Sequence, residues 1–374
     1  MNQCASGVEV LMVAVLIVGL SLCVSAQVAW AQEEGTAEGI QLRPAQLQDA
    51  IQVQRNYESR LFSLPGVLGV GIGLTEDMGE VAIHVYFNPD VPSASHSAIP
   101  RHLDNMPVRI LETDDIVARD AGDPGHRQVF NRPVPMGVST GNPNATFAGT
   151  LGFRAVRAGN PNAVGYVTNN HVAAASGPSL CVAQLNPANL PAFGLDQCQP
   201  GLLDPASGGS CTPGGRPQIG DLVQVVPIIM GGVFENVVDA AFVSSTRNLV
   251  DKSIRDIGAP SPNIVIFPAL NQTVQKSGRT TGFTQGTITT INGTFNVSYG
   301  AACGTAKFVG QMAITALGSF SAGGDSGSLI VTTLLDSAGR KRPVGLLFAG
   351  STTSTIANPI VSVMGALGVL VDAQ

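Results

Sequence analysis

From residue 147 to the C-terminus the chain keeps returning to one texture: apolar stretches of strand length that end at a glycine or a proline. They run over 147–156, 165–168, 222–229, 237–243, 274–277, 286–291, 307–314, 328–333 and 343–349. Repeated short strands separated by turn signals pack as a β-barrel or a sandwich, because no single strand pair can bury its apolar face alone. The 44 glycines and 24 prolines point the same way. So does a charged fraction of 12%, against about 25% in a typical soluble protein. Long amphipathic helices are not expected.

The front of the chain reads differently. Residues 10–24 form an apolar run of the length of a signal-peptide core, too short for a comfortable membrane span, and small-residue sites follow at 24–26 and 29–31. Residues 1–31 are therefore read as an export signal. Its first ten residues hold Glu9 and neither Lys nor Arg, which an export signal usually carries; a start at Met12 would account for this. A polar stretch over 32–46 comes next. Leu47, Ala50, Val53, Tyr57 and Leu61 then recur at helical spacing until Pro65-Gly66 closes the pattern. Leu68, Val70, Ile72 and Leu74 alternate with glycines, Val81, Ile83, Val85 and Phe87 alternate after a turn, and a further strand covers 108–111. Residues 32–118 thus comprise the polar segment and a small α+β module, and the Pro-, Gly- and Asn-rich stretch 119–146 reads as a linker. The remaining residues, 147–374, form the larger β domain, divided near 260.

Net charge is −6 and the 20 basic residues are scattered, so the chain has no basic stripe for nucleic acid or an anionic membrane. Neither partner is expected, and no stable membrane insertion once the leader is gone. Loss of the leader removes Cys4 and Cys23 and leaves Cys181, Cys198, Cys211 and Cys303. In an oxidising compartment, outside the cell or in the periplasm, at least one bridge is expected within 181–211. No Cys-x-x-Cys pair or Cys/His cluster marks a metal site, and the chemistry read below calls for no cofactor. Asn144, Asn271, Asn292 and Asn296 head Asn-x-Ser/Thr sequons, which matter only in a glycosylating host.

Gly323-Gly324-Asp325-Ser326-Gly327-Ser328 carries the strongest chemical signal. Glycines on both sides let the backbone aim successive N–H groups at one point while the serine hydroxyl stays accessible. A serine needs a base, and His171 is the one histidine of the β domain; His84, His96, His102 and His126 all precede it. The base needs a carboxylate that holds its ring and offsets the charge it gains. Asp239, set in the apolar stretch Val237-Val238-Asp239-Ala240-Ala241-Phe242, suits that role, because a charge there is costly without a partner. Asp221, Asp251 and Asp256 are rivals in more polar, turn-like contexts.

The order His171, Asp239, Ser326, with Thr168-Asn169-Asn170-His171-Val172-Ala173-Ala174 as the histidine box, resembles the trypsin/chymotrypsin-like serine peptidases over roughly 147–371. Gln199-Pro200-Gly201, Gly278-Arg279-Thr280-Thr281-Gly282, residues 343–351 and Ala357-Asn358-Pro359-Ile360 are similar to a bacterial and plant branch that includes the plant narrow-leaf proteins. The resemblance implies two packed antiparallel β-barrels with the site in the cleft between them. It implies an oxyanion hole from the N–H groups of Gly324 and Ser326, and a strand edge over Phe348, Ala349 and Gly350 that pairs with a peptide. It also places Phe320 at the floor of the pocket for the side chain before the cut. Protein or peptide is then the substrate; a binding protein on a peptidase fold with little activity is the alternative, and oligomeric state is left open. No basic residue followed by Ile-Val-Gly-Gly opens the domain. Asp325 therefore needs a partner other than a freshly cut N-terminus.

Overall fold

The computed structural model describes residues 39–374 apart from 92, 118–123, 144–147, 175–195, 205–210, 212–215, 263–264, 302 and 373. The leader, Cys181, Asn144 and Phe147 lie outside the described residues. Among the described residues no helix is long and apolar enough to cross a membrane.

Helix α1 (Pro44–Phe62) begins a turn earlier than the apolar spacing indicates, because Pro44 supplies a favourable first helical residue and the Gln46 side chain accepts from the Arg43 N–H. Ala50, Gln54 and Leu61 are buried. Strands β1 (Val67–Leu74) and β2 (Val81–Phe87) form the expected hairpin, with Ile72 opposite Ile83, and β3 (Met106–Glu112) lies parallel to β2. Leu61, Val67, Val70, Ile83, Val85 and Phe87 form a core of their own between helix and sheet.

The chain next supplies β4 (Phe153–Arg157), β5 (Asn160–Thr168), β6 (Gln218–Val225) and β7 (Ala241–Ser244). It continues through β8 (Thr273–Gly278), β9 (Gly282–Ser298), β10 (Thr305–Thr315), β11 (Leu329–Leu335), β12 (Lys341–Gly350), β13 (Thr355–Pro359) and β14 (Val369–Val371). The protein is mainly β. One sheet runs Asp196–Cys198, β6, β7, β5, β4, β14. The other runs Glu235–Asn236, β10, β13, β12, β11, β8, β9, β1, β2, β3, His102–Leu103, and β9 also pairs with β10. The pairings among β8 to β13 therefore close into a circuit of six strands around Val274, Ile288, Met312, Ile314, Ile330 and Leu347.

Two segments are joined more closely than the sequence indicates. The N-terminal hairpin shares a sheet with the larger part of the chain: β1 pairs antiparallel with β9, Gly69 opposite Phe295 and Val70 opposite Thr294. The glycine alternation in β1 accounts for the fit, since a Cβ at Gly69 would stand 2.3 Å from the Phe295 ring and one at Gly71 2.4 Å from the Thr290 methyl. The stretch read as a linker contains Val134–Met136, which pairs parallel with Val250–Ile254, and Val134, Met136 and Val138 are all buried. That apolar alternation was hidden behind the prolines and glycines around it. The chain also crosses back after residue 260, as β14 pairs with β4.

His84 sits at the seam between the hairpin and β9. Its Nε2 donates to the Leu74 carbonyl at 2.8 Å, and its Nδ1 accepts from the Thr290 hydroxyl at 2.8 Å. Burial, with Arg109 adding to it and the Leu74 carbonyl opposing, pushes its pKa from 6.5 down to about 4. Since the unfolded chain binds this proton below about pH 6.5 and the folded one only below about pH 4, the full stability contribution is present above 6.5. It is lost as pH falls towards 4, by roughly 3 kcal/mol. Urea midpoints measured between pH 7 and 4 should fall steeply in the wild type and less steeply in His84→Gln. Equal slopes would show that His84 titrates normally.

Candidate active site

His171 projects from a single helical turn, Asn170–Ala173, that follows directly on β5. The turn is held by its asparagines: Asn169 Nδ2 donates to the Asp239 carbonyl and Asn170 Nδ2 to the Val226 carbonyl, both at 2.7 Å. Asp239 is fully buried, and its Oδ2 stands 2.6 Å from His171 Nδ1, while Oδ1 accepts from the His171 N–H at 3.3 Å. With the Nδ1 proton facing the carboxylate, Nε2 keeps its lone pair free to take a proton. Asp239 lies just before β7 rather than within a strand. Its N–H donates to Asn358 Oδ1 at 3.1 Å and its carbonyl is taken by Asn169, so side chains replace the ladder there.

The rivals go elsewhere. Asp221 is exposed and accepts from Gln218, Asp251 accepts from the Lys252 N–H, and Asp256 pairs with His126 at 2.9 Å.

Ser326 belongs to the loop ahead of β11, and Thr150 pins that loop from the other half of the chain. The Thr150 N–H donates to the Ser326 carbonyl at 2.8 Å and its hydroxyl to the Gly324 carbonyl at 2.9 Å. Gly327 has φ +96°, and a Cβ there would stand 2.3 Å from the Thr168 hydroxyl, so only glycine suits the position. Gly149 brings the two loops together: a Cβ on it would meet Val172, next to His171, at 2.4 Å and the Ser326 carbonyl at 2.8 Å. The histidine turn and the serine loop thus close on the same glycine. Among the described residues the N–H groups of Gly324 and Ser326 donate to no acceptor, the condition an anion-binding pair must meet. The Ser326 hydroxyl lies 3.4 Å from the Phe348 carbonyl.

Sequence reasoning missed two residues of this site. The Tyr299 hydroxyl donates to Asp239 Oδ2 at 2.8 Å, and its ring meets the His171 ring edge-on at 5.9 Å. Lys276 answers the question of Asp325: both side chains are fully buried, 3.3 Å apart. Asp325 further accepts from the N–H groups of Thr280, Thr281 and Ala322. Burial pushes the Lys276 pKa down and the Asp325 charge opposes the shift. No comparable signal marked Lys276, whose neighbours Thr273, Gln275 and Ser277 are polar, unlike the apolar stretch around Asp239. The adjacent Arg279 is structural, with paired bonds of 2.8 and 2.7 Å to Asp204.

Of the residues assigned to substrate, Ala349 and Gly350 line a small pocket with Ser326, Ser321, Ala322 and Gly323. Phe348 reaches the site through its carbonyl, while its ring is buried against Phe308. Phe320 is not a pocket floor. It is buried inside the six-strand circuit with Val274, Ile288 and Met312, where an apolar core needed a large ring.

The bridge expected within 181–211 joins Cys198 and Cys211. Among the described residues no cluster of His, Cys, Asp and Glu could hold a metal.

A family model described as the Nal1 C-terminal domain matches residues 234–358, which take in Asp239 and Ser326 but not His171. No curated protein matches. Three solved structures are similar at low identity. A glutamic-acid-specific serine protease, described as using a histidine triad in substrate binding, shares 20% identity over 64% of this chain and all of its own, with a TM-score of 0.40. Protease A of Thermobifida fusca shares 18% over 64% of this chain and 97% of its own, at 0.38. A Nocardiopsis protease shares 18% over 64% and 98%, also at 0.38.

Proposed function

We propose that this chain is a serine endopeptidase of the trypsin-like kind, exported from the cell, with Ser326 as nucleophile, His171 as base and Asp239 as its orienting acid. The observation that carries this reading is the buried 2.6 Å pair of His171 and Asp239, set against the Ser326 loop through Gly149. The six-strand circuit and the open six-stranded sheet are read as the two barrels. Ser326 Oγ attacks the peptide carbonyl carbon as its proton passes to His171 Nε2, and the carbonyl oxygen takes its negative charge against the N–H groups of Gly324 and Ser326. The C–N bond breaks as the proton is handed to the departing amine, and water releases the acyl group by the reverse route. Asp239 fixes the tautomer, and Tyr299 holds Asp239. The Cys198–Cys211 bridge supports an oxidising compartment. A fluorophosphonate probe tests the core claim: it should label the folded protein at Ser326, whereas a binding protein on the same fold would stay unlabelled.

The pocket beside Ser326 is walled by Ser321, Ala322, Gly323, Leu347 and Ala349, with no carboxylate among its lining residues. An Arg or Lys side chain would lose its hydration there without a counter-charge. Cleavage after small apolar residues is expected, with benzamidine a poor inhibitor. Sequencing of new termini in a digested peptide mixture checks this; cuts mainly after Arg or Lys would overturn it.

A further inference from the structure

The strand edge over 348–350 is already occupied, by the chain's own residues. The Val117 N–H donates to the Gly350 carbonyl at 2.9 Å and the Gly350 N–H donates to the Val117 carbonyl at 3.1 Å, an antiparallel pair. The Ser298 N–H holds the Ile116 carbonyl from the opposite side at 3.0 Å, one residue from the tyrosine that supports Asp239. Upstream, Asp114 Oδ1 accepts both the N–H and the hydroxyl of Thr352, at 2.7 and 2.8 Å, and the Thr113 hydroxyl donates to Ser351 at 2.6 Å. Val117 also lines the same pocket as Ser326, and that pocket keeps a free volume of only ≈ 10 Å³, about one water.

We propose that residues 113–117 act as a built-in competitor for extended peptides, so that the protein rests in a self-occupied state and reaches full activity only when this strap is displaced. This rests on the peptidase reading above. An incoming strand needs the N–H and C=O of Gly350 for its own ladder, and cannot have them while Val117 does. The competitor is tethered, so its effective concentration is high and even weak pairing suffices. The apparent affinity for substrate is reduced by the fraction of molecules with the strap released. The effect therefore belongs in KM.

Val117→Pro removes the N–H given to Gly350, and Asp114→Ala removes the clamp on Thr352. With a library of internally quenched peptides, each should lower KM roughly tenfold at unchanged kcat, the size of one or two lost hydrogen bonds. Asp114→Asn keeps an acceptor facing Thr352 and should stay near wild type. Fluorophosphonate labelling of Ser326 runs alongside on every protein. If labelling persists but KM is unchanged or higher in both Val117→Pro and Asp114→Ala, the strap is structural and the inference is overturned while the peptidase reading stands. If no protein is labelled, the peptidase reading fails and the inference fails with it.

Discussion

Replacement of Ser326 by Ala, or of His171 by Ala, is expected to remove nearly all peptide hydrolysis, a loss on the order of a million-fold in kcat, with thermal unfolding little changed. Nucleophile and base act as one unit: the hydroxyl is not nucleophilic until Nε2 takes its proton, and the imidazole has nothing to do without that hydroxyl. The double variant should be hardly worse than either single one. Asp239→Asn should lose about four orders of magnitude, because an amide facing Nδ1 favours the tautomer with the proton on Nε2, the wrong nitrogen for a base. Single-turnover rates on a peptide ester, with circular dichroism as the folding control, make the measurement. Normal turnover by Ser326→Ala would end the proposal, and a mild effect of Asp239→Asn would reopen the choice of acid.

The candidate residues were legible because the chemistry proposed for them demands local sequence. Gly327 is fixed by φ and by the approach of Thr168, so the serine loop is written in consecutive residues. Asp239 showed itself as a charge among apolar neighbours, and its burial against His171 is what that placement requires. The β1–β2 hairpin was readable from period-two alternation alone. What could not be read is what depends on contacts distant in the chain. The pairing of β1 with β9 joins Gly69 to Phe295, and nothing in the alternation of β1 names that partner. Val134, Met136 and Val138 alternate like a strand, yet the prolines around them carry the stronger local signal. The family resemblance put Phe320 at the pocket floor, and a resemblance in sequence does not tell which way a ring turns. Tyr299 reaches Asp239 across 60 positions, so no spacing rule would have found it.

The Lys276–Asp325 pair sets the second large effect. Lys276 holds Asp325 from β8, with both groups out of solvent. Removing one member of a buried pair leaves the other charge uncompensated, which costs about 3–5 kcal/mol, whereas removing both together is often neutral. Lys276→Met should therefore lower the unfolding free energy by that amount. Activity should fall as well, because Asp325 also anchors the N–H of Ala322 and the hydroxyl of Thr281 beside Gly324 and Ser326, the residues proposed to bind the oxyanion. Adding Asp325→Asn should restore part of the stability, since a neutral amide needs no counter-ion but leaves some of the buried donors around it without an acceptor. It should restore little of the activity, because an amide cannot accept from all the donors that the two carboxylate oxygens now satisfy. Urea denaturation of the wild type, both single variants and the double variant closes this cycle, with peptide hydrolysis measured on the same four proteins. A double variant as unstable as the sum of the single ones would mean that the two charges do not compensate each other, and the ordering of the serine loop would then have to come from the Thr280–Thr281 turn alone.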